Sequence, residues 1–169
     1  MKNVFFDIET LGLNAWYGDK VTCICAQTED DEVFQGVMKH KGNEYELIND
    51  FFKWLINLNY DYNIQLVSKN GKMFDIPFLC ARMTLSSEYV EQTIINEVLN
   101  MPHFDLQEIT YKRISLDDMA KMYGIKGKSG HGLQAIKDWK NKAYNKLRSY
   151  CANDVRVTKE VYEKYTENK

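Results

Sequence analysis

The sequence predicts an α/β layer fold, a mixed sheet flanked by helices. Three observations lead there. The first third reads as short strands broken by turns, the middle alternates strand with helix, and the last third carries helical spacing. A chain of 169 residues fits one domain, 1–169, which buries roughly 70% of its unfolded surface and so folds without staples.

Each element has its own signal. Residues 3–8 are a short apolar run, read as a strand. Residues 20–28 alternate and place Val21, Cys23 and Cys25 on one face. After the acidic turn Glu29-Asp30-Asp31, residues 32–38 complete a hairpin. Over 44–58 the apolar positions Leu47, Ile48, Phe51, Phe52, Leu55 and Leu58 recur at helical spacing. Residues 64–68 form a strand closed by Asn70-Gly71. Residues 74–83 read as a helix, with Pro77 tolerated near its start, and 87–99 as another. Pro102 opens a strand over 103–109. Ser115, with Asp118 three residues on, caps a helix that ends near Gly124. A glycine-rich basic loop over 126–132 precedes helices at 133–140 and 143–165.

Composition narrows the function. Lys plus Arg is 22 and Asp plus Glu is 24, which excludes a disordered polyelectrolyte and a uniformly basic nucleic-acid coat. No apolar run reaches the roughly 18 residues of a membrane span. The opening segment meets an acid at Asp7, too early for a signal peptide. Cys23, Cys25, Cys80 and Cys151 form no C-x-x-C pair, which argues against a disulfide framework or a zinc site. The expected setting is therefore reducing and intracellular, in the cytoplasm.

The chemistry lies in the placing of a few acids. Asp7 and Glu9 are two apart on the first strand, so their side chains leave one face while Phe6 and Ile8 leave the other. Two adjacent carboxylates repel, and a cation between them removes the repulsion. Asp75 stands at a helix start, where a plain N-terminal cap is the alternative reading. Tyr150 and Asp154 are four apart on the last helix, and their face continues through Val155, Thr158 and Val161. A core hydrogen bond between them is the alternative. Convergence of all four carboxylates would make a poor core but a good site for two hard divalent ions, Mg²⁺ or Mn²⁺. Such a pair suits phosphodiester cleavage.

Phe6-Asp7-Ile8-Glu9-Thr10, Asn70-x-x-x-Phe74-Asp75 and Tyr150-x-x-x-Asp154 resemble the three motifs of DEDDy-type 3′–5′ exonucleases. With Ser115-Leu116-Asp117-Asp118-Met119-Ala120 and Asp154-Val155-Arg156-Val157-Thr158, the resemblance spans nearly the whole chain. It points to the proofreading domains of family B DNA polymerases. It implies a ribonuclease H-like fold with a mixed five-stranded sheet. It also implies that Asp7, Glu9 and Asp154 hold one metal, that Asp7 bridges to a second near Asp75, and that Tyr150 orients the attacking water. An ordinary tyrosine, with a pKa of about 10, is a poor base at neutral pH, so the metal must supply most of the acidification. The histidine-type sister group carries His five residues before the last Asp. Here that position is Ser149, so His40, His103 and His131 take no catalytic role, and His131 is read as a solvated loop residue.

The resemblance also implies substrate contacts. The backbone N–H groups of Thr10 and Leu11 match positions that hold the terminal 3′ hydroxyl, and Leu11 matches a wedge against the last bases. Asn70 and Phe74 match positions that meet the next nucleotide. Trp16 and Tyr17 are stacking candidates. Lys126, Lys128, Lys137, Lys140, Lys142 and Lys146 are read either as phosphate contacts or as a solvated face. Gly127-Lys128-Ser129 is not a phosphate-binding loop, because the earlier glycine is Met122. Asp105, Asp117 and Asp118 stay outside the metal set.

The expected activity is a stand-alone exonuclease that shortens single-stranded or frayed DNA from its 3′ end and releases nucleoside 5′-monophosphates. The alternatives are an exoribonuclease, or a catalytically silent nucleic-acid-binding module of the same fold. The expected partner is nucleic acid and not a membrane, with a replication or repair factor as the candidate protein partner.

Overall fold

A computed structural model of the chain describes residues 1–86, 92–110, 112–127 and 132–168. Among these residues a five-stranded sheet runs in the order β3-β2-β1-β4-β5. The strands are β1 (Lys2–Thr10), β2 (Val21–Thr28), β3 (Val33–Val37), β4 (Ile64–Ser68) and β5 (His103–Asp105). The hairpin strands β1, β2 and β3 pair antiparallel, and β1, β4 and β5 pair parallel. The sheet is therefore mixed, as the sequence predicts, with β1 at its centre.

Helices cover both faces. On one side lie α1 (Glu44–Tyr62), α2 (Asp75–Ser86) and α3 (Gln92–Leu99). They pack Ile48, Phe51, Phe52, Leu55, Leu79 and Ile95 against Val4, Phe6 and Ile8 of β1. On the other side lie α5 (Gly132–Lys140) and α6 (Tyr144–Glu167), which pack Ala135, Leu147, Tyr150, Cys151 and Val155 against Phe5, Cys23, Cys25 and Val67. The short α4 (Leu116–Met122) adds Leu116, Met119 and Ala120 beside Val157 and Val161 of α6. The strict alternation along β1 explains both faces, since residues two apart share a side.

Most predicted elements fall where the periodicity put them. One does not. The strand expected over 103–109 stops at Asp105, and Leu106–Ile109 form a 3₁₀ turn. The Asp105 carboxylate accepts from Gln107 N at 2.9 Å, so the side chain bends the chain where the apolar pattern alone reads straight. Residues 87–91 of the expected helix over 87–99, and Lys128, Ser129 and His131 of the basic loop, lie outside the described residues. Among the described residues no helix is long and apolar enough to cross a membrane.

A buried ion pair ties the sheet to one helical layer. Arg82 Nη2 and Nε meet Glu44 Oε2 and Oε1 at 2.7 and 2.9 Å. Glu44 also accepts from Val21 N at 2.8 Å, and Arg82 Nη1 donates to Ala15 O at 2.9 Å. The pair thus joins α1, α2, the start of β2 and the loop that follows β1. Removing one partner leaves the other charge buried, which costs about 3–5 kcal/mol. Glu44→Ala and Arg82→Ala should each lower the urea midpoint accordingly. A loss below about 1 kcal/mol would show that the pair is not a structural tie.

Candidate active site

The site forms at the C-terminal end of β1. Asp7 and Glu9 point to the α6 side, and opposite them in the ladder stand Cys25 and Cys23 of β2. The register slips between Glu9 and Thr10, so Thr22 bulges and its Oγ1 donates to Glu9 O at 3.0 Å. Bulges of this kind re-aim neighbouring side chains. Asp7 is half-buried, and Glu9 is buried.

Asp75 arrives from the opposite helical layer. It opens α2, is buried, and its Oδ1 accepts from Ile8 N at 3.3 Å. The Asp75 carboxylate therefore reaches the backbone between Asp7 and Glu9, a role beyond capping its own helix. From the other layer, α6 brings Cys151, whose thiol donates to Asp7 O at 3.4 Å and lies 3.9 Å from Asp7 Oδ2. Burial, and then hydrogen bonding to Cys23 and Cys25, pushes the Cys151 thiol well up, so it meets Asp7 as a neutral donor. Tyr150 precedes it, and Asp154 lies one turn on. Both are buried, at 7% and 1% exposure, which a shared inward helix face explains.

Ligand atoms of Asp7, Glu9 and Cys151 all lie within 4.8 Å of one another. The carboxylates of Asp7 and Glu9 are hard oxygen donors, and Glu9, Asp75 and Asp154 are buried. Gathering carboxylates in a low-dielectric site is costly, and a divalent cation offsets that cost. The acids present therefore fit a hard divalent cation.

The loop after β4 is held from below. Asp105 is buried and accepts from Asn70 N at 2.7 Å and from Lys72 N at 3.1 Å. Asn70 adopts a left-handed conformation with φ 67°, which Asn tolerates better than most residues. Gly71 N donates to Ser68 Oγ at 3.1 Å, and a Cβ at Gly71 would stand 2.3 Å from that oxygen. Ser68 Oγ in turn bonds His103 Nε2 at 2.7 Å.

A cleft of about 480 Å³ opens over the site, lined by Asp7, Lys69, Asn70, Arg113, Ile114, Ser115 and Leu116. Its basic rim, Lys69 and Arg113, was not singled out by sequence reasoning, because neither belongs to a charge run. Lys126, Lys137, Lys140, Lys142 and Lys146 are exposed and are not among the cleft-lining residues. Phe74 lines a neighbouring groove of about 260 Å³ with Leu13, Trp16, Met73 and Phe78. Tyr17 is exposed and lies outside both. One expected contact needs correction. Leu11 N already donates to Lys20 O at 2.9 Å, and Thr10 Oγ1 donates to Gly12 O at 2.5 Å. The amide of Leu11 is thus engaged in closing the loop, whereas the Thr10 bond is made by its side chain and not by the amide. Asp117 pairs with Lys121 at 2.6 Å and Asp118 accepts from Ser115 Oγ at 2.7 Å, so both serve α4.

The fold and the acid-rich sheet end define a class, and comparison with known proteins gives it a family. A family model described as the RNase_H superfamily matches residues 4–166, and the chain belongs to that superfamily. No curated protein sequence matches the chain. Among solved structures it is similar to the family B DNA polymerase from the hyperthermophilic archaeon Pyrobaculum calidifontis. The TM-score is 0.75 at 20% identity, over 97% of this chain and 24% of that one. The chain thus spans about a quarter of the polymerase it matches, and the likeness is one of fold. The ribonuclease H-like fold implied by the three motifs is borne out, and superfamily membership supports a nuclease acting on nucleic acid with divalent metals.

His103 gives the loop a pH dependence. Burial lowers its pKa from 6.5 to about 4, with Asp105 opposing. The unfolded chain then binds more protons than the folded one between those values, so His103 favours folding fully above pH 6.5. That contribution is lost as pH falls through about 4. His103→Gln should flatten the fall of the urea midpoint across this window. An unchanged slope would exclude His103 as the titrating group.

Proposed function

We propose that the chain is a metal-dependent 3′–5′ exonuclease of the tyrosine type, acting on single-stranded or frayed DNA and releasing nucleoside 5′-monophosphates. One observation carries the reading. Asp75 Oδ1 sits on Ile8 N between Asp7 and Glu9, while Cys151, flanked by Tyr150, touches Asp7. Three distant stretches of chain thus meet at one strand end.

In this reading Asp7, Glu9, Asp75 and Asp154 would hold two divalent ions, which would supply acidification of the attacking water and charge stabilisation at the leaving oxygen. The chain's own residues do the rest. Tyr150 orients the water through its hydroxyl. Asn70, fixed by Asp105, faces the cleft beside Asp7. Lys69 and Arg113 meet phosphates at the rim, which supports binding of any sequence. Phe74 and Trp16 offer an apolar groove for splayed bases, a sequence-tolerant contact worth about 1–3 kcal/mol per base. Leu11 keeps its side chain as a wedge.

The test is digestion of a 5′-labelled single-stranded DNA in Mg²⁺, Mn²⁺ or EDTA, beside the matched RNA. A ladder shortening from the 3′ end, absent with EDTA, is expected. Asp7→Ala should lower the rate by on the order of 10³-fold or more. Tyr150→Phe, which removes one hydrogen bond to the water, should cost about tenfold. Normal digestion by Asp7→Ala would sink the assignment. Preference for RNA would favour the exoribonuclease, and tight binding without product the silent module.

The basic rim yields a separate expectation. Arg113→Ala should raise KM by about 3–10-fold with kcat little changed, the pattern of lost uniform binding. The salt dependence of binding should fall by about one counterion. A drop in kcat at unchanged KM would move Arg113 out of the binding rim.

A further inference from the structure

Three of the chain's four cysteines meet in one place. Cys23 and Cys25 are neighbours on one face of β2, and Cys151 descends on them from α6. Their sulfur atoms all lie within 4.8 Å of one another, and Cys23 and Cys25 Sγ are 3.8 Å apart. All three residues are buried, at 0%, 1% and 0% exposure. Around them are Phe5, Val67, Ala135, Leu147 and Val155. Thiolates bound at about 2.3 Å around one tetrahedral ion stand about 3.8 Å apart. The Cys23–Cys25 separation matches that spacing, and Cys151 Sγ lies within 4.8 Å of both.

The thiols also adjoin oxygen donors. Cys25 and Cys23 stand opposite Asp7 and Glu9 in the ladder, and Cys151 belongs to both ligand groups, the three sulfurs and the Asp7-Glu9 pair. Hard divalent ions favour the carboxylates, whereas thiolates select soft or borderline ones. We propose that Cys23, Cys25 and Cys151 form a separate metal site, for a thiophilic zinc-group ion, beside the carboxylates on the same face of the sheet. An ion there ties β2 to α6, the helix that carries Tyr150 and Asp154. The inference stands apart from the nuclease reading, since it rests on the sulfurs alone.

Cd²⁺ titrated into the chain in excess Mg²⁺ tests it, added both to native protein and during refolding. A sulfur-to-metal charge-transfer band saturating at one ion per chain is expected for the wild type and for Cys80→Ser. Cys23→Ser and Cys25→Ser should lose the band, with affinity at least about tenfold weaker. Circular dichroism checks that each variant keeps its fold, and Cys25→Ala replaces any that does not. No band from the wild type by either route overturns the proposal, whatever the chain does to DNA. So does a band undiminished in both β2 variants.

Discussion

Everything at this site follows from the difficulty of burying carboxylates. An ionised acid loses several kcal/mol on leaving water unless something compensates. The chain buries Glu9, Glu44, Asp75, Asp105 and Asp154 all the same. Two of them have plain structural answers. Glu44 faces the Arg82 guanidinium in a two-pronged pair, and Asp105 gathers backbone N–H groups from Asn70, Lys72 and Gln107. Of the others, Glu9 stands at the end of β1 and Asp75 reaches the backbone beside it, while Asp154 is buried on α6.

The structural acids in turn set the geometry of the site. Glu44 and Arg82 hold the loop after β1 through Ala15 and the start of β2 through Val21. Asp105 holds the loop after β4, so that Asn70 lies in the cleft and Asp75 begins α2 against Ile8. Ser68 and His103 brace the same loop from the sheet. Two loops at the ends of neighbouring parallel strands are therefore pinned by buried polar groups. A fold presents a rigid site in this way, on strand ends and helix starts.

The cleft adds what the acids lack. Its rim carries positive charge from Lys69 and Arg113, which lie on the chain segments around α4 and β4. A net charge of −2 is thus compatible with nucleic acid, because the positive groups are local. Beside the acids, on the same face of the sheet, lie the three thiols, so hard and soft donors share one strand pair.

The sequence by itself determined the α/β class, the first four strands, the main helices and the acids worth testing. Period-two and helical spacings are local, and Asp7, Glu9, Asp75, Tyr150 and Asp154 sit in short motifs that need no partner to be seen. Tertiary structure decided the remainder. Only packing shows that Asp75 reaches Ile8, that the Leu11 amide is engaged by Lys20, and that Asp105 ends β5 early. Only packing makes Arg113 and Lys69 neighbours of Asp7, or joins Cys151 to cysteines 126 and 128 positions away. The physical reason is distance along the chain. A hydrogen bond or a ligand set depends on separation in space, and local patterns carry no record of which distant residues the folded sheet will bring together.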